Sequence, residues 1–201
     1  MEPPTPFPTS LPTPEPTLNP IPSPTPAPTD GVDGLAVNTI VYPATITSFG
    51  CSKVVRSGSA VDPTTEKYVC VQIHNEPTGF VMAPAHGKHS IAKAMRLYTA
   101  NNCPDCDCVE YKLEGRVDSA SSWQEIGSGD VPWTSTRRNA RGLNIISTFE
   151  SGDDSLTYAA VDFPGSSVAY LDYKFTCIRT RGELVSKLML GSLELAGYLL
   201  E

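Results

Sequence analysis

Short runs of alternating apolar and polar residues dominate the chain from about residue 35 onward. In segment 111–117, the apolar residues Tyr111, Leu113 and Val117 share one side of an extended chain. A period of two is the pattern of a β-strand that buries one face. Runs of this kind predict strands at 37–42, 68–73, 79–82, 94–99, 111–117, 122–126, 143–146, 169–175 and 193–198.

Helical spacing of apolar residues does not persist beyond about ten residues anywhere in the chain. Segments 90–95 and 181–189 are predicted as short helices. Many short strands separated by turns are typical of a β-sandwich, whereas an α/β fold would alternate strands with long helices. The pattern therefore predicts an all-β fold, a jelly-roll β-sandwich.

The first part of the chain has a different composition. Twelve of the nineteen prolines fall within the first thirty residues, interleaved with Thr and Ser. Proline fixes φ and has no N–H, so this segment is expected to be extended rather than helical or sheet-forming. We predict a disordered Pro/Thr-rich stalk or linker over residues 1–34 and one domain over residues 35–201. O-glycosylation of the stalk and an inert linker are both open interpretations.

The charge and hydropathy exclude several partners. The formal net charge is −7, of which Glu2, Glu15 and Asp30 contribute three and the domain the rest. Nucleic-acid affinity depends on cations that neutralise phosphates, so a nucleic-acid partner is not expected. No run of about 20 apolar residues is present, so the sequence predicts no membrane span.

The six cysteines predict disulfides in a secreted or cell-surface protein. A metal knuckle is the alternative for the clustered cysteines, but zinc requires a fourth ligand from elsewhere. The pairing is left open. No signal peptide is visible at the start, and we expect the natural N-terminus to lie upstream. The disulfide candidates are Cys51, Cys70, Cys103, Cys106, Cys108 and Cys177.

No catalytic pattern stands out. The Gly-x-Ser-x-Gly motif of serine hydrolases is absent, and the tripeptide at 127–129 is predicted as a turn. His86 and His89 flank a glycine and are also predicted to lie in a turn. We therefore expect no enzymatic activity.

Aromatic side chains are the main candidates for ligand contact, because a ring face packs on the C–H patches of a sugar. Trp123 lies in a predicted strand and is expected to pack in the core. Trp133 lies in a predicted loop, and core packing is its alternative; with Arg137, Arg138 and Asn139 it forms the predicted ligand-binding site. Three tyrosines are further stacking candidates: Tyr42, Tyr98 and Tyr158.

Several segments of the sequence resemble those of one known superfamily. The segments MRLYTANN at 95–102, YKLEGRVDS at 111–119 and SWQEIGSG at 122–129 are similar to consecutive strands of discoidin domains. The segments AVDPTTEKY at 60–68 and LGSLEL at 190–195 resemble a loop and the last strand of the same group. Over about residues 36–200, the chain resembles the galactose-binding-like discoidin superfamily, which includes coagulation factor V/VIII type C domains.

This resemblance implies a jelly roll whose loops at one end bind glycans or other surfaces. It also implies one structural calcium ion, held by Asp62 and by an acidic residue of the last strand. Ser192 stands at that acidic position, with Glu194 two residues further on. No other cofactor is expected.

The sequence therefore predicts an extracellular, non-catalytic binding module for carbohydrate, with a glycan of a cell surface, matrix or cell wall as its partner. Two alternatives stay open. One is a disulfide-stabilised structural protein of a cell wall or matrix, and the other is the binding domain of a larger secreted enzyme.

Overall fold

Alternating side chains produce twelve antiparallel strands in the part of the chain that the structure describes. The computed structural model describes residues 38–40, 44–55, 67–73, 76–84, 87–133, 158–182 and 186–200, all within one compact unit of residues 32–201. The predicted stalk and the predicted strand at 143–146 lie outside the described residues. The strands are β1 Asn38–Thr39, β2 Ala44–Phe49, β3 Cys51–Val55, β4 Tyr68–Gln72, β5 Thr78–Pro84, β6 Ser90–Tyr98, β7 Cys108–Arg116, β8 Gln124–Asp130, β9 Tyr158–Asp162, β10 Asp172–Thr180, β11 Lys187–Leu190 and β12 Ser192–Leu199.

The strands form three sheets. One sheet has the order β1-β12-β6-β9, the largest has the order β2-β5-β10-β7-β8, and a smaller one has the order β11-β4-β3. A 3-10 turn at Pro104–Cys106 precedes β7. No described helix is long and apolar enough to cross a membrane. The predicted all-β sandwich class is confirmed.

The core lies on the inner face of the five-stranded sheet. Tyr173, Phe175 and Cys177 alternate along β10 and are almost completely buried. Phe175 packs on Phe80 of the neighbouring strand, with ring centroids 5.4 Å apart. Burying one side chain of this size stabilises a fold by about 1.5–3 kcal/mol. Buried residues from the other sheets complete the same cluster: Tyr68, Cys70, Met95, Leu97, Leu188, Leu190, Leu193 and Leu195.

A buried hydroxyl group joins two of the sheets. Tyr173 of β10 donates its hydroxyl proton to the carbonyl oxygen of Ser90 in β6, at 2.6 Å, and its Oη also lies 2.9 Å from Ser90 Oγ. Burial raises the pKa of Tyr173 well above its ordinary value. The phenol therefore stays protonated and able to donate, which satisfies a polar group that would be costly to bury alone.

Three disulfides are present, as the cysteine count predicts. Cys51–Cys70 joins β3 to β4, and Cys108–Cys177 joins β7 to β10. Cys103–Cys106 closes the 3-10 turn. The alternative of a metal knuckle is wrong, because every cysteine of the cluster is oxidised.

Several local predictions are wrong. Segment 90–95, predicted as a helix, belongs to strand β6, which is buried on both faces, so apolar and polar residues do not alternate in its first half. Strand β11 begins within the predicted helix at 181–189, and the predicted turn at 127–129 lies inside β8. Strands β2, β3 and β9 were not predicted, since they are short and bury few of their described side chains fully.

The outer face of the five-stranded sheet carries a row of ion pairs. The Glu114 carboxylate lies 3.0 Å from Lys112 Nζ and 2.7 Å from Lys174 Nζ. Arg116 pairs with Asp172, with Nε at 2.7 Å from Oδ2. The expectation that Trp123 packs in the core is wrong, because its ring lies over Arg116 and Lys174 on this outer face.

Glycine at position 115 is required by the packing of the core. A Cβ atom there would overlap the ring of Tyr170, which is buried against the inner face of β7. We expect Gly115→Ala to lower the free energy of unfolding by about 1–3 kcal/mol, the usual cost of overpacking. Gly165→Ala is the matched control, because a Cβ there meets no atom, and it should change stability by less than about 0.5 kcal/mol. Equal effects of the two variants in urea denaturation would contradict this account.

The three disulfides should contribute unequally to stability. Their sequence separations are 69 for Cys108–Cys177, 19 for Cys51–Cys70 and 3 for Cys103–Cys106. If restriction of the unfolded chain dominates, replacing each pair by alanine should cost about 4, 3 and 2 kcal/mol in that order. Urea denaturation of the three double variants measures this order. A larger loss for the Cys103–Cys106 pair than for the Cys108–Cys177 pair would show that native-state contacts dominate instead.

Acid should weaken the fold through Glu114. Burial alone raises the pKa of Glu114. Hydrogen bonds and positive charge from Lys174 and Lys112 together lower the pKa by more than burial raises it, so the pKa lies below its ordinary value of 4.5. The ionised carboxylate therefore stabilises the folded state above about pH 4.5, and this contribution is lost as the pH falls through the folded-state pKa. We expect Glu114→Gln to lower the free energy of unfolding at pH 7 and to have a smaller effect at pH 3. The Glu125 side chain is 50% exposed. Glu125→Gln should therefore show a smaller difference between its effects on the free energy of unfolding at pH 7 and at pH 3.

Candidate functional site

Several described segments meet at one end of the sandwich. We call this the loop end: residues 99–107 together with Lys67, Trp133 and Tyr158. Tyr158 begins β9 and pairs in register with Tyr98, the last residue of β6. Lys67 precedes β4, and its ammonium group contacts residues of the 99–107 segment. Asp62 and residues 137–139 lie outside the described residues.

The 99–107 segment is fixed by local bonds. Cys103 adopts a left-handed backbone with φ of 54°, which is uncommon for a residue other than glycine. Its disulfide to Cys106 holds this conformation. The Asp107 carbonyl accepts a hydrogen bond from the Arg181 N–H at 2.9 Å. The segment between β6 and β7 is therefore a preformed surface.

Lys67 and two asparagines form a polar cluster at the loop end. Lys67 Nζ donates to Oδ1 of Asn101 at 3.1 Å and to Oδ1 of Asn102 at 2.8 Å. Asn102 is exposed and Asn101 is half-buried. These residues were not among the predicted site residues, although two asparagines directly after a predicted strand were an available signal. Ammonium and amide groups of this kind form hydrogen bonds with sugar hydroxyls.

Trp133 lies at the loop end, at the rim of the core. Its indole Nε1 donates to the carbonyl oxygen of Cys108 at 2.6 Å. The ring is half-buried and packs against the core cluster. The structure therefore anchors Trp133 immediately before the segment that holds Arg137, Arg138 and Asn139, and ligand contact by these four residues stays a prediction.

The tyrosine candidates differ in accessibility. Tyr98 is 1% exposed and donates its hydroxyl proton to Glu194 at 2.8 Å, so the expectation that it stacks on a sugar is wrong. Tyr158 is half-buried, and the Arg96 guanidinium lies 4.8 Å from the centre of its ring. Tyr42 lies outside the described residues.

Two residues of the implied calcium site, Ser192 and Glu194, lie among the described residues. Ser192 is buried and its hydroxyl has no partner among the described residues, but it is a neutral group. The carboxylate of Glu194 already accepts a hydrogen bond from Tyr98, and Glu194 pairs in register with the cationic Arg96. Calcium sites require six to eight oxygen ligands. The described residues contain no cluster of three or more His, Cys, Asp or Glu side chains that could hold a metal.

Comparison with known proteins identifies the fold. No family model and no curated protein matches the chain. Solved structures do match, among them the CBM32-3 module from a family 31 glycoside hydrolase of Clostridium perfringens, with a TM-score of 0.53 and 16% identity over 80% of this chain and 90% of that one.

Two further structures from the same organism show the same likeness. CpGH89CBM32-5, solved in complex with GalNAc-β-1,3-galactose, has a TM-score of 0.52 and 13% identity over 76% of this chain and 94% of that one. The family 32 CBM of NanJ, solved in complex with galactose, has a TM-score of 0.51 and 12% identity over 76% and 93% of the two chains. The chain therefore has the galactose-binding-like, discoidin-type β-sandwich fold that its sequence segments predicted.

Proposed function

We propose that this chain is an extracellular, non-catalytic module that binds a glycan through its loop end. The observation that carries the proposal is the convergence of polar side chains at that end. Lys67, Asn101 and Asn102 form one hydrogen-bonded cluster, and Trp133 is anchored at the same end. Loops held by a rigid sandwich are where binding residues concentrate.

The ligands of structural relatives support a sugar as the partner. Modules of this fold have been solved with galactose and with GalNAc-β-1,3-galactose. The predicted donors Arg137, Arg138 and Asn139 follow Trp133 in the chain and are suited to hydroxyl groups. The proposed partner is a glycan of a cell surface, matrix or cell wall.

Two features of the chain support secretion. Three disulfides persist in oxidising compartments outside the cytosol. A Pro/Thr-rich segment ahead of the domain suits an extended spacer that holds a binding module away from its attachment point. The proposal therefore includes residues 1–34 as a stalk and residues 35–201 as the module, and a calcium ion at Asp62 stays a prediction.

A second candidate function is the binding domain of a larger secreted enzyme. The CBM32-3 relative comes from a family 31 glycoside hydrolase. Another solved relative contains CBM32-1 and CBM32-2 together with an M60 catalytic domain. In this case the module would hold a catalytic domain close to a glycan-bearing substrate.

The loop-end proposal predicts a loss of glycan affinity in one combined variant. Screening the full chain on a glycan array should identify a galactose- or GalNAc-containing ligand, and titration calorimetry then gives its affinity. Replacing Arg137, Arg138 and Asn139 together by alanine should weaken binding at least tenfold, because each lost charged hydrogen bond is worth about 1.5–3 kcal/mol. The melting temperature should not change.

Lys88→Ala is the matched control, because this exposed lysine precedes β6 at the opposite end of the sandwich. Its affinity should stay within twofold of the wild type. Full affinity in the combined variant would refute the loop-end site. No binding to any glycan or cell-wall preparation would instead favour the disulfide-stabilised structural protein.

A further inference from the structure

Trp123 presents an open aromatic surface away from the loop end. The ring centre lies 4.7 Å from the Arg116 guanidinium and 5.4 Å from Lys174 Nζ. The side chain is half-buried, and its indole N–H has no hydrogen-bond partner among the described residues. Trp133, in contrast, uses its N–H within the protein. Trp123 therefore combines a ring face with a donor that solvent can reach.

A short, rigid turn holds Trp123 in place. The Asp118 carboxylate accepts hydrogen bonds from the backbone N–H groups of Ala120 and Ser121, both at 2.8 Å. Hydrogen bonds from Ser121 and Ala120 lower the pKa of Asp118, so the carboxylate is ionised at neutral pH. Arg116 also donates to the carbonyl oxygen of Ser119. A ring fixed in this way loses little conformational entropy when a ligand stacks on it.

Two ion pairs lie on the sheet surface beside the Trp123 ring. Arg116 Nε and Nη2 both contact Oδ2 of Asp172, and no described group donates to Oδ1. Lys174 Nζ lies 2.7 Å from Glu114 Oε2, and the Lys174 side chain is 26% exposed. A guanidinium has five N–H donors and a carboxylate about four acceptor positions, so both pairs retain capacity for a ligand. Such groups form the stronger, charge-assisted hydrogen bonds.

A second ring closes the other side of Lys174. Lys174 Nζ lies 5.8 Å from the ring centre of Phe49, on the edge strand β2. Phe49 pairs in register with Gly79, which leaves no side chain between the phenyl ring and the central strand. Lys174 therefore lies between two aromatic rings on the outer face of the sheet.

The charges of this face favour a neutral ligand. Three cations, Lys112, Arg116 and Lys174, are balanced by three carboxylates. An anionic polymer would meet the carboxylates and a chain with net charge −7, and nucleic-acid binding depends on unpaired cations. A neutral sugar ring offers C–H patches for the aromatic face and hydroxyls for both members of an ion pair. The carboxylates are Glu114, Glu125 and Asp172.

We propose that this face is a second carbohydrate-binding site, at which a hexopyranose unit of a neutral oligosaccharide stacks on Trp123. Because one face of the ring lies over Arg116 and Lys174, the sugar stacks on the other face, and its hydroxyls meet these cations, the Asp172 carboxylate and the Trp123 N–H at the edge of the ring. The site is distinct from the loop end, because Arg116 and Cys108 are the two ends of β7 and lie about 27 Å apart at roughly 3.4 Å per residue.

The two tryptophans allow a direct test in solution. Full-length protein labelled with nitrogen-15 gives two indole N–H signals, and Trp123→Phe assigns them. The probes are lactose, cellotetraose and mannotetraose, with a heparin tetrasaccharide as the anionic comparison. At least one neutral probe should shift the Trp123 signal saturably, and should still do so when Arg137, Arg138 and Asn139 are all alanine. Retention in that variant separates this site from the loop end.

Variants of the face then test the contact in the same loop-end background. Trp123→Ala should weaken binding of that probe at least tenfold by titration calorimetry. Trp123→Leu, which keeps an apolar cover over Arg116, guards against misfolding and should show the same loss. Ile178→Ala removes a 45% exposed side chain from β10 and should stay within twofold. The proposal is overturned if no neutral probe moves the Trp123 signal, if only heparin does, or if both Trp123 variants keep full affinity.

Discussion

The alternation of side chains along β10 is the constraint on which the rest of this sandwich depends. β10 is the central strand of its sheet, and Tyr173, Phe175 and Cys177 must all face inward to fill the core. The intervening residues then face outward by geometry alone. The same register that aligns Phe175 with Leu113 also aligns Lys174 with Glu114. A hydrophobic requirement on one face therefore fixes the charge pairing on the other.

The two ends of the sandwich are connected through β7. This strand begins at Cys108, whose carbonyl group holds Trp133, and it finishes at Arg116, over which Trp123 lies. Its disulfide to Cys177 prevents β7 from sliding against β10. A change that shifted the β7–β10 register would therefore disturb both aromatic surfaces at once.

The sequence was sufficient to predict the fold class but not the position of every aromatic residue. The alternation of Tyr111 and Leu113 identified a half-buried strand, and both residues lie in the core. Trp123 was misplaced because a large aromatic residue in a strand-like run usually packs inside. Its actual position depends on the turn formed by Asp118, and on cations supplied by two different strands. Pairing between distant strands cannot be deduced from a local pattern.

The loop end illustrates the same limit for polar residues. Lys67 and Asn101 are far apart in the sequence and meet only because β4 and β6 both have an end here. The disulfide pairing is likewise a result of sheet topology, since Cys108 and Cys177 are brought together by the β7–β10 pairing. Composition alone could predict that cysteines pair, but not which ones.

Two sugar-binding surfaces on one rigid domain would have a consequence for affinity. A single ring stacked beside a few hydrogen bonds is a weak site, since binding must offset lost translational and rotational freedom. A second site on the same domain converts the next contact with a polysaccharide into an intramolecular event with a high effective concentration. The gain requires that one chain of sugars can reach both surfaces, which are separated by the length of β7. Two such sites would therefore favour long or densely displayed glycans over short free oligosaccharides.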